Sequence, residues 1–182
     1  MSLPSRPSSP RLRLLPLDET VTDAVLDGLL DVARSNPGFL ATHEGSADEP
    51  GRFDRPMLER DLAVAALDPD RSSYAILRAE DGTVVGWADV LDRHPRDEVP
   101  WSGLLEIHAD HQRQGYGREA AAALAEEQRS RGRTRLRVGV DEGNEAAAAF
   151  WASLGYREVD VRQRPSPSGP LRVSVLELDL AG

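Results

Sequence analysis

The sequence predicts a mixed α/β domain: a largely antiparallel sheet of five or more strands, with helices interleaved around only two of them and the strand holding Glu106 parallel to the next. Two observations carry this. The stretch Leu104 to Leu124, LLEIHADHQRQGYGREAAAAL, reads as a short apolar strand, a polar loop (His108 to Gln114), a Gly-x-Gly turn (Gly115, Gly117) and an Ala-rich segment that is comfortable only as helix. Before and after it lie short runs with period-two alternation, separated by turn residues.

The elements follow in order. Arg11 to Leu15 alternates as a first strand, ended by Pro16. Thr20 or Thr22 can cap a helix whose apolar stripe is Val21, Ala24/Val25, Gly28/Leu29 and Val32, closing before Asn36-Pro37-Gly38. Gly38 to Pro56 is a long polar loop of the kind that usually carries function. Met57 to Leu67 suggests a second helix, and Ser73 to Arg78 with Thr83 to Leu91 a hairpin on the Asp81-Gly82 turn. The loop Asp92 to Pro100 leads into the strand of Glu106. After the Ala-rich helix, Arg129, Arg131 and Arg133 oppose the negative end of its dipole, and Gly132 supplies a stop. Arg135 to Val140 is a strand with Leu136, Val138 and Val140 inward. Asn144 then opens a helix whose Ala147, Phe150, Trp151 and Leu154 share one face. Arg157 to Arg164 and Leu171 to Leu180 close the chain as a hairpin, with a change of phase between Val175 and Leu176 that predicts a bulge.

Length, composition and charge bound the function. A chain of 182 residues with 40% apolar residues suits one domain, residues 11–182, behind a Pro/Ser/Arg-rich disordered head, residues 1–10. The head lacks the apolar core of a signal peptide, and its prolines prevent the amphipathic helix of a transit peptide. A net charge of −9 argues against nucleic acid or an anionic membrane as partner and suits a cationic one. With no cysteine there is no disulfide, no thiolate zinc site and no Cys nucleophile, and nothing places the chain outside a reducing cytosol; a cytoplasmic location is the expectation.

A helix that opens on glycines presents free backbone N–H groups and the positive end of its dipole, so the loop before Gly115 is a cradle for phosphate or pyrophosphate. From His111 to Arg118 there are two arginines and no acid. A Walker loop needs Lys and then Ser or Thr after its last glycine, where this chain has Arg118 and Glu119. Gly115-x-Gly117-x-x-Ala120 satisfies the letter of the dinucleotide fingerprint, but seven residues separate Ile107 from Gly115 and too little chain follows for the remaining βαβ units.

A third pattern fits better. Gln112-Arg113-Gln114-Gly115-Tyr116-Gly117 resembles the Q/R-x-x-G-x-G/A signature of the GNAT N-acetyltransferase superfamily, in which backbone amides hold the pyrophosphate of coenzyme A. Downstream, Asn144-x-x-Ala147-x-x-Phe150-Trp151 and Leu154-Gly155-Tyr156 look like a second family segment. The resemblance implies a GNAT-like fold whose two central parallel strands splay apart at a bulge, with acetyl-CoA as acyl donor. It implies a cofactor site of Gln112 to Arg118, with Arg113 and Arg118 near the phosphates. Backbone amides around Ile107, His108 and Ala109 would lie at the thioester, and Asn144 and Trp151 beside the pantetheine arm. Family members are often dimers, so a homodimer is an expectation too.

Acyl transfer to an amine needs a general base, because an alkylammonium is almost wholly protonated at neutral pH. Glu106 is the candidate: it interrupts an apolar strand, where desolvation would raise its pKa. Its bland alternative is a solvent-facing strand residue, and His108 is the rival base. His108 and His111 with Asp110 between them lack third and fourth metal ligands of evident spacing, so no metal is expected. Asn144 has an equally good reading as a helix N-cap. Trp151 stands where the family commonly has a tyrosine acid, and an indole N–H cannot replace one; its plain role is to pack the helix on the sheet.

The leading reading is therefore an acyl-CoA-dependent N-acyltransferase moving acetyl to a small-molecule or peptide amine by direct transfer in a ternary complex. A non-catalytic acyl-CoA sensor, motivated by Trp151, and a dinucleotide-binding oxidoreductase are the alternatives. The acceptor is not legible.

Overall fold

A computed structural model describes residues 10–18, 21–36, 38, 53–165 and 169–181. In order these form β1 (Leu12–Pro16), α1 (Asp23–Ser35), α2 (Arg55–Ala66), β2 (Arg71–Arg78), β3 (Val84–Leu91) and β4 (Trp101–Ile107). A 3-10 turn (Ala109–His111) then leads to α3 (Tyr116–Ser130), β5 (Arg135–Asp141), α4 (Glu145–Ser153), β6 (Arg157–Arg164) and β7 (Leu171–Asp179). The head up to residue 9 and most of the expected loop 38–56 lie outside the described residues.

The strands make one sheet in the order β1-β2-β3-β4-β5-β7-β6. Every pairing is antiparallel except β4 with β5, as the sequence predicts. That parallel pair joins only at Trp101 with Arg137 and at Ser102 with Val138. On its other edge β4 pairs Ser102 with Val90 and Leu104 with Asp89, so Gly103 is an extra residue on β4. A bulge bends its strand and increases the local twist, and from this point to Ile107 β4 diverges from β5. The splay thus begins at a glycine.

Helices cover both faces. On one, α1 and α2 pack Leu29, Val32, Ala33 and Leu58 against Ala75, Leu77 and Trp87. Gly28 permits the close contact of α1 with β3, since a Cβ there would lie 2.6 Å from a Val84 carbon. On the other face, α3 sets Tyr116, Ala120 and Leu124 on Ile76, Val85, Val90 and Ile107. Beside it α4 sets Trp151 on Val138, Val140, Tyr156 and Leu176. The alanines of α3 have no side-chain entropy to lose and let the helix lie close to the strands.

Two expectations shift. The bulge foreseen in the last strand lies in its partner: Glu158 pairs with Leu176 and Asp160 with Val175, leaving Val159 as the extra residue of β6. Val175 and Leu176, which point to opposite faces, are both buried while β7 keeps its register on β5. The first strand begins one residue later than predicted and includes Pro16, since Arg11 turns its side chain to the helix opposite.

Candidate active site

The end of β4 and the start of α3 frame a cleft of about 440 Å³ in which Leu105, Ile107, Gln112, Arg113, Gly115, Gly117, Arg118 and Phe150 meet. Arg113 and Gly115 both have positive φ, 61° and 88°, so the loop turns twice through the left-handed region before the helix begins. Such turns gather successive backbone N–H groups into an anion-binding concavity, and Gly115 is the cap from which α3 runs. The lining has two cations and no acid. These features fit a pyrophosphate.

Hydrogen bonds hold the loop from beneath. Ile107 carbonyl accepts from Gln112 Nε2 at 3.0 Å and from Asn36 Nδ2 at 3.1 Å, and Gln112 Nε2 also donates to Asn36 Oδ1 at 2.8 Å. Gln114 Nε2 closes on the Asp110 carbonyl at 2.8 Å. Arg118 reaches Ser153 Oγ at 3.0 Å, tying α3 to the end of α4 across the cleft.

Backbone donors at the splay follow from the ladder. His108 N–H donates to the Val85 carbonyl at 2.9 Å. Alternation in an antiparallel pair then directs the N–H groups of Leu105 and Ile107 away from β3, into the gap toward β5. The N–H of Ala109 is engaged by Ser35 Oγ at 3.0 Å. Of the three amides expected at the thioester, those of His108 and Ala109 are engaged within the protein and Ile107's faces the gap.

Glu106 lies between Leu105 and Ile107, so its side chain is on the opposite face of the sheet from the cleft. It is 9% exposed, and Oε2 is buried with no hydrogen-bond partner among the described residues. Desolvation alone pushes its pKa up to about 8.

His108 is half-buried and spoken for on both ring nitrogens: Nδ1 accepts from Asp110 N–H at 3.1 Å, and Nε2 faces Asp31 Oδ2 at 3.2 Å. That arrangement occupies both ring nitrogens and orders the loop. Among the described residues no group of three His, Asp or Glu side chains could hold a metal ion.

Asn144 and Trp151 do not line the cleft. Asn144 Oδ1 accepts from Ala147 N–H at 3.1 Å, capping α4, and the residue borders a separate hollow between α4 and the β6–β7 hairpin. Trp151 is 9% exposed, its ring edge-on to Phe150 and Tyr156 at 5.0 Å from each. The aromatic that α4 offers to the cleft is Phe150, one residue earlier. Tyr116 contributes backbone to the loop while its ring is buried against β2 and β3. Tyr156 borders the α4 hollow, and burial drives its hydroxyl well above the ordinary phenol range. Sequence reading missed Phe150 and Leu105 as wall residues. The alternation of β4 carried the signal for Leu105, whereas Phe150 and Trp151 share the apolar stripe of α4 and the spacing alone does not separate them.

A splayed parallel pair beside a glycine-opened helix defines a coenzyme A-binding transferase fold, and similarity to known proteins agrees. Residues 37–156 match the model of the Acetyltransferase (GNAT) family. The chain belongs to this family, whose acyl donor is acetyl-CoA. Mycothiol acetyltransferase of Thermomonospora curvata is 31% identical over 162 residues, which are 87% of this chain and 48% of that protein. The chain thus spans about half the length of the curated relative it matches. An acetyltransferase from Thermus thermophilus has a TM-score of 0.68 at 28% identity, over 92% of this chain and 97% of that one. Spermidine N-acetyltransferase from Vibrio cholerae, solved with CoA and spermine, has a TM-score of 0.69 over 94% and 96%; at 14% identity this likeness is one of fold. With a single parallel pair among its described strands, the sheet does not have the run of parallel strands on which a dinucleotide-binding fold is built.

Proposed function

We propose that this chain transfers acetyl from acetyl-CoA to a primary amine by direct attack in a ternary complex, with Glu106 as general base. The observation that carries the reading is a buried carboxyl with pKa about 8 at the splay, its Oε2 without a partner among the described residues, on the face of the sheet opposite the glycine-loop cleft. The donor enters from the α3 face and the amine from the α1/α2 face, so the two meet in the gap beyond Gly103.

Bound acetyl-CoA supplies an activated carbonyl and a thiol leaving group. Glu106 takes the proton that the acceptor nitrogen must lose, and Ile107 N–H in the gap stabilises negative charge on the carbonyl oxygen. The backbone of Gly115 to Gly117 holds the pyrophosphate, and Phe150 and Leu105 exclude water along the arm. A thiol pKa of about 8.5 lets the leaving group depart without a strong acid. Of the three tyrosines, Tyr74 and Tyr116 are buried in the α3-side core and Tyr156 borders the α4 hollow. With Trp151 in the core rather than at the sulfur, its identity gives no reason to prefer a sensor without turnover.

The test is a panel of primary amines assayed with acetyl-CoA, wild type against Glu106→Gln. The expected result is a wild-type rate that climbs to a plateau above pH about 8, and a variant slower by roughly 10²-fold with unchanged acetyl-CoA affinity. Normal turnover in Glu106→Gln together with a dead His108→Ala would reverse the assignment.

A further inference from the structure

The residue that leads into β1 reaches the glycine loop from behind, across 103 positions of sequence. Arg11 donates from Nη1 and from Nη2 to the Gln114 carbonyl, 3.3 Å each. Its Nε pairs with Glu119 Oε2 at 2.9 Å, and its Cζ lies 4.8 Å from the centre of the Tyr116 ring. The backbone is attached separately: the N–H groups of Arg11 and Leu12 both donate to Glu119 Oε1, at 2.7 and 3.2 Å. The strand is therefore held on α3 without the Arg11 side chain, and the guanidinium acts on the loop.

Its effect is on one peptide plane. The described chain has no cis peptide, and in a trans unit the carbonyl and the following N–H point in opposite directions. Drawing the Gln114 carbonyl toward Arg11 turns the N–H of Gly115 away from it, and Gly115 lines the cleft while Arg11 does not. Glycine at φ 88° gives this plane little intrinsic preference, so an external anchor decides which way it faces. The site is also tight: a Cβ on Gly115 would lie 3.2 Å from Arg11 Nη2.

We propose that Arg11 is a positioning residue for the pyrophosphate cradle. It fixes the Gln114–Gly115 peptide with its N–H toward the anion, without touching the ligand itself. This rests on the reading of the cleft as the coenzyme A site. A planar fork is required, because a single ammonium cannot hold the Gln114 carbonyl and Glu119 together in one geometry.

Calorimetry with coenzyme A and amide proton–nitrogen NMR spectra on wild type, Arg11→Ala and Arg11→Lys test the proposal. In wild type the Gly115 amide should move downfield as coenzyme A is added. Arg11→Ala should weaken coenzyme A by about tenfold, the scale of one charge-assisted hydrogen-bonded contact, and lose most of the Gly115 response. Its melting temperature should stay close to wild type, because the backbone bonds to Glu119 remain. Arg11→Lys should lie between the two, and it carries the test by itself if the alanine variant does not fold. Wild-type affinity with an intact Gly115 response in the variants overturns the inference. So does weaker affinity with that response unchanged, which would make Arg11 a distant charge only. Gly117→Glu separates the premise: if it still binds coenzyme A the site reading falls, and if it alone loses binding only the role of Arg11 falls.

Discussion

Glu106 makes a prediction that needs no knowledge of the acceptor. Its carboxyl has a pKa of about 8 in the fold against an ordinary value of 4.5, because burial disfavours the charged form. The folded state therefore holds a proton that the unfolded state has lost between these values. The sign follows: the contribution to stability is fully present below pH 4.5 and is lost as the pH rises through 8. Integrating the two titrations from about pH 5 to about pH 9 gives a loss of about 4 kcal/mol, a ceiling that hydration of the ionised side chain will lower. Glu106→Gln keeps the shape and removes the titration. Urea unfolding of both proteins at about pH 5 and about pH 9 should show wild type losing stability relative to the variant across that interval, by between about 1 and 4 kcal/mol. Equal pH dependence in the two would mean that Glu106 ionises like an ordinary surface carboxylate, and the argument for it as a poised base would collapse.

Two further outcomes are expected. Gly117→Glu should abolish acetyl-CoA binding in calorimetry while leaving the thermal melt near wild type. A Cβ there meets Phe150 and Ile107 at no less than 3.6 Å, and a carboxylate suits the first turn of a helix but repels the pyrophosphate. Trp151→Phe should keep most of the turnover and show no fall in rate at high pH, whereas Trp151→Ala should cost about 3–5 kcal/mol in denaturant unfolding by opening a cavity against Val138, Val140 and Tyr156. A Trp151→Phe enzyme that melts normally but turns over about a hundredfold more slowly would put the indole in the chemistry instead of the core.

The strands and helices were legible because their periodicities differ and turn residues separate them. Leu136, Val138 and Val140 face one way in β5, and α4 buries Trp151 and half-buries Ala147, Phe150 and Leu154 as its spacing requires. The glycine cradle was legible for a related reason, since glycine and a helix start are local signals. What the sequence concealed was long-range or depended on side-chain direction. Arg11 reads as the first residue of an alternating strand, and nothing near it indicates a partner at Gln114. Ser35 and Asn36 read as the end of a helix, yet they hold the Ala109 N–H and the Ile107 carbonyl. The choice between Phe150 and Trp151 is a rotation of one residue, about 100° around a helix, and only the packed sheet decides it.

Gly103 connects these features. It is exposed, and a Cβ built there would find nothing nearer than Asp89 oxygens at 3.8 and 3.9 Å, so the position is not glycine for lack of room. Its place in the ladder is the better account: it is the extra residue on β4, directly after the last one that β5 pairs. Without the bulge, β4 would continue along β5 and the Leu105 and Ile107 N–H groups would be used up in the sheet. With it, the same strand supplies free amides to the gap, apolar side chains to the cleft and Glu106 to the opposite face. The buried carboxyl is tolerated because below pH about 8 it is mostly protonated; the fraction that has released its proton to solvent is the form that accepts one from the amine. Burial of Glu106 within the sheet is thus what brings its pKa close to the working pH of a base.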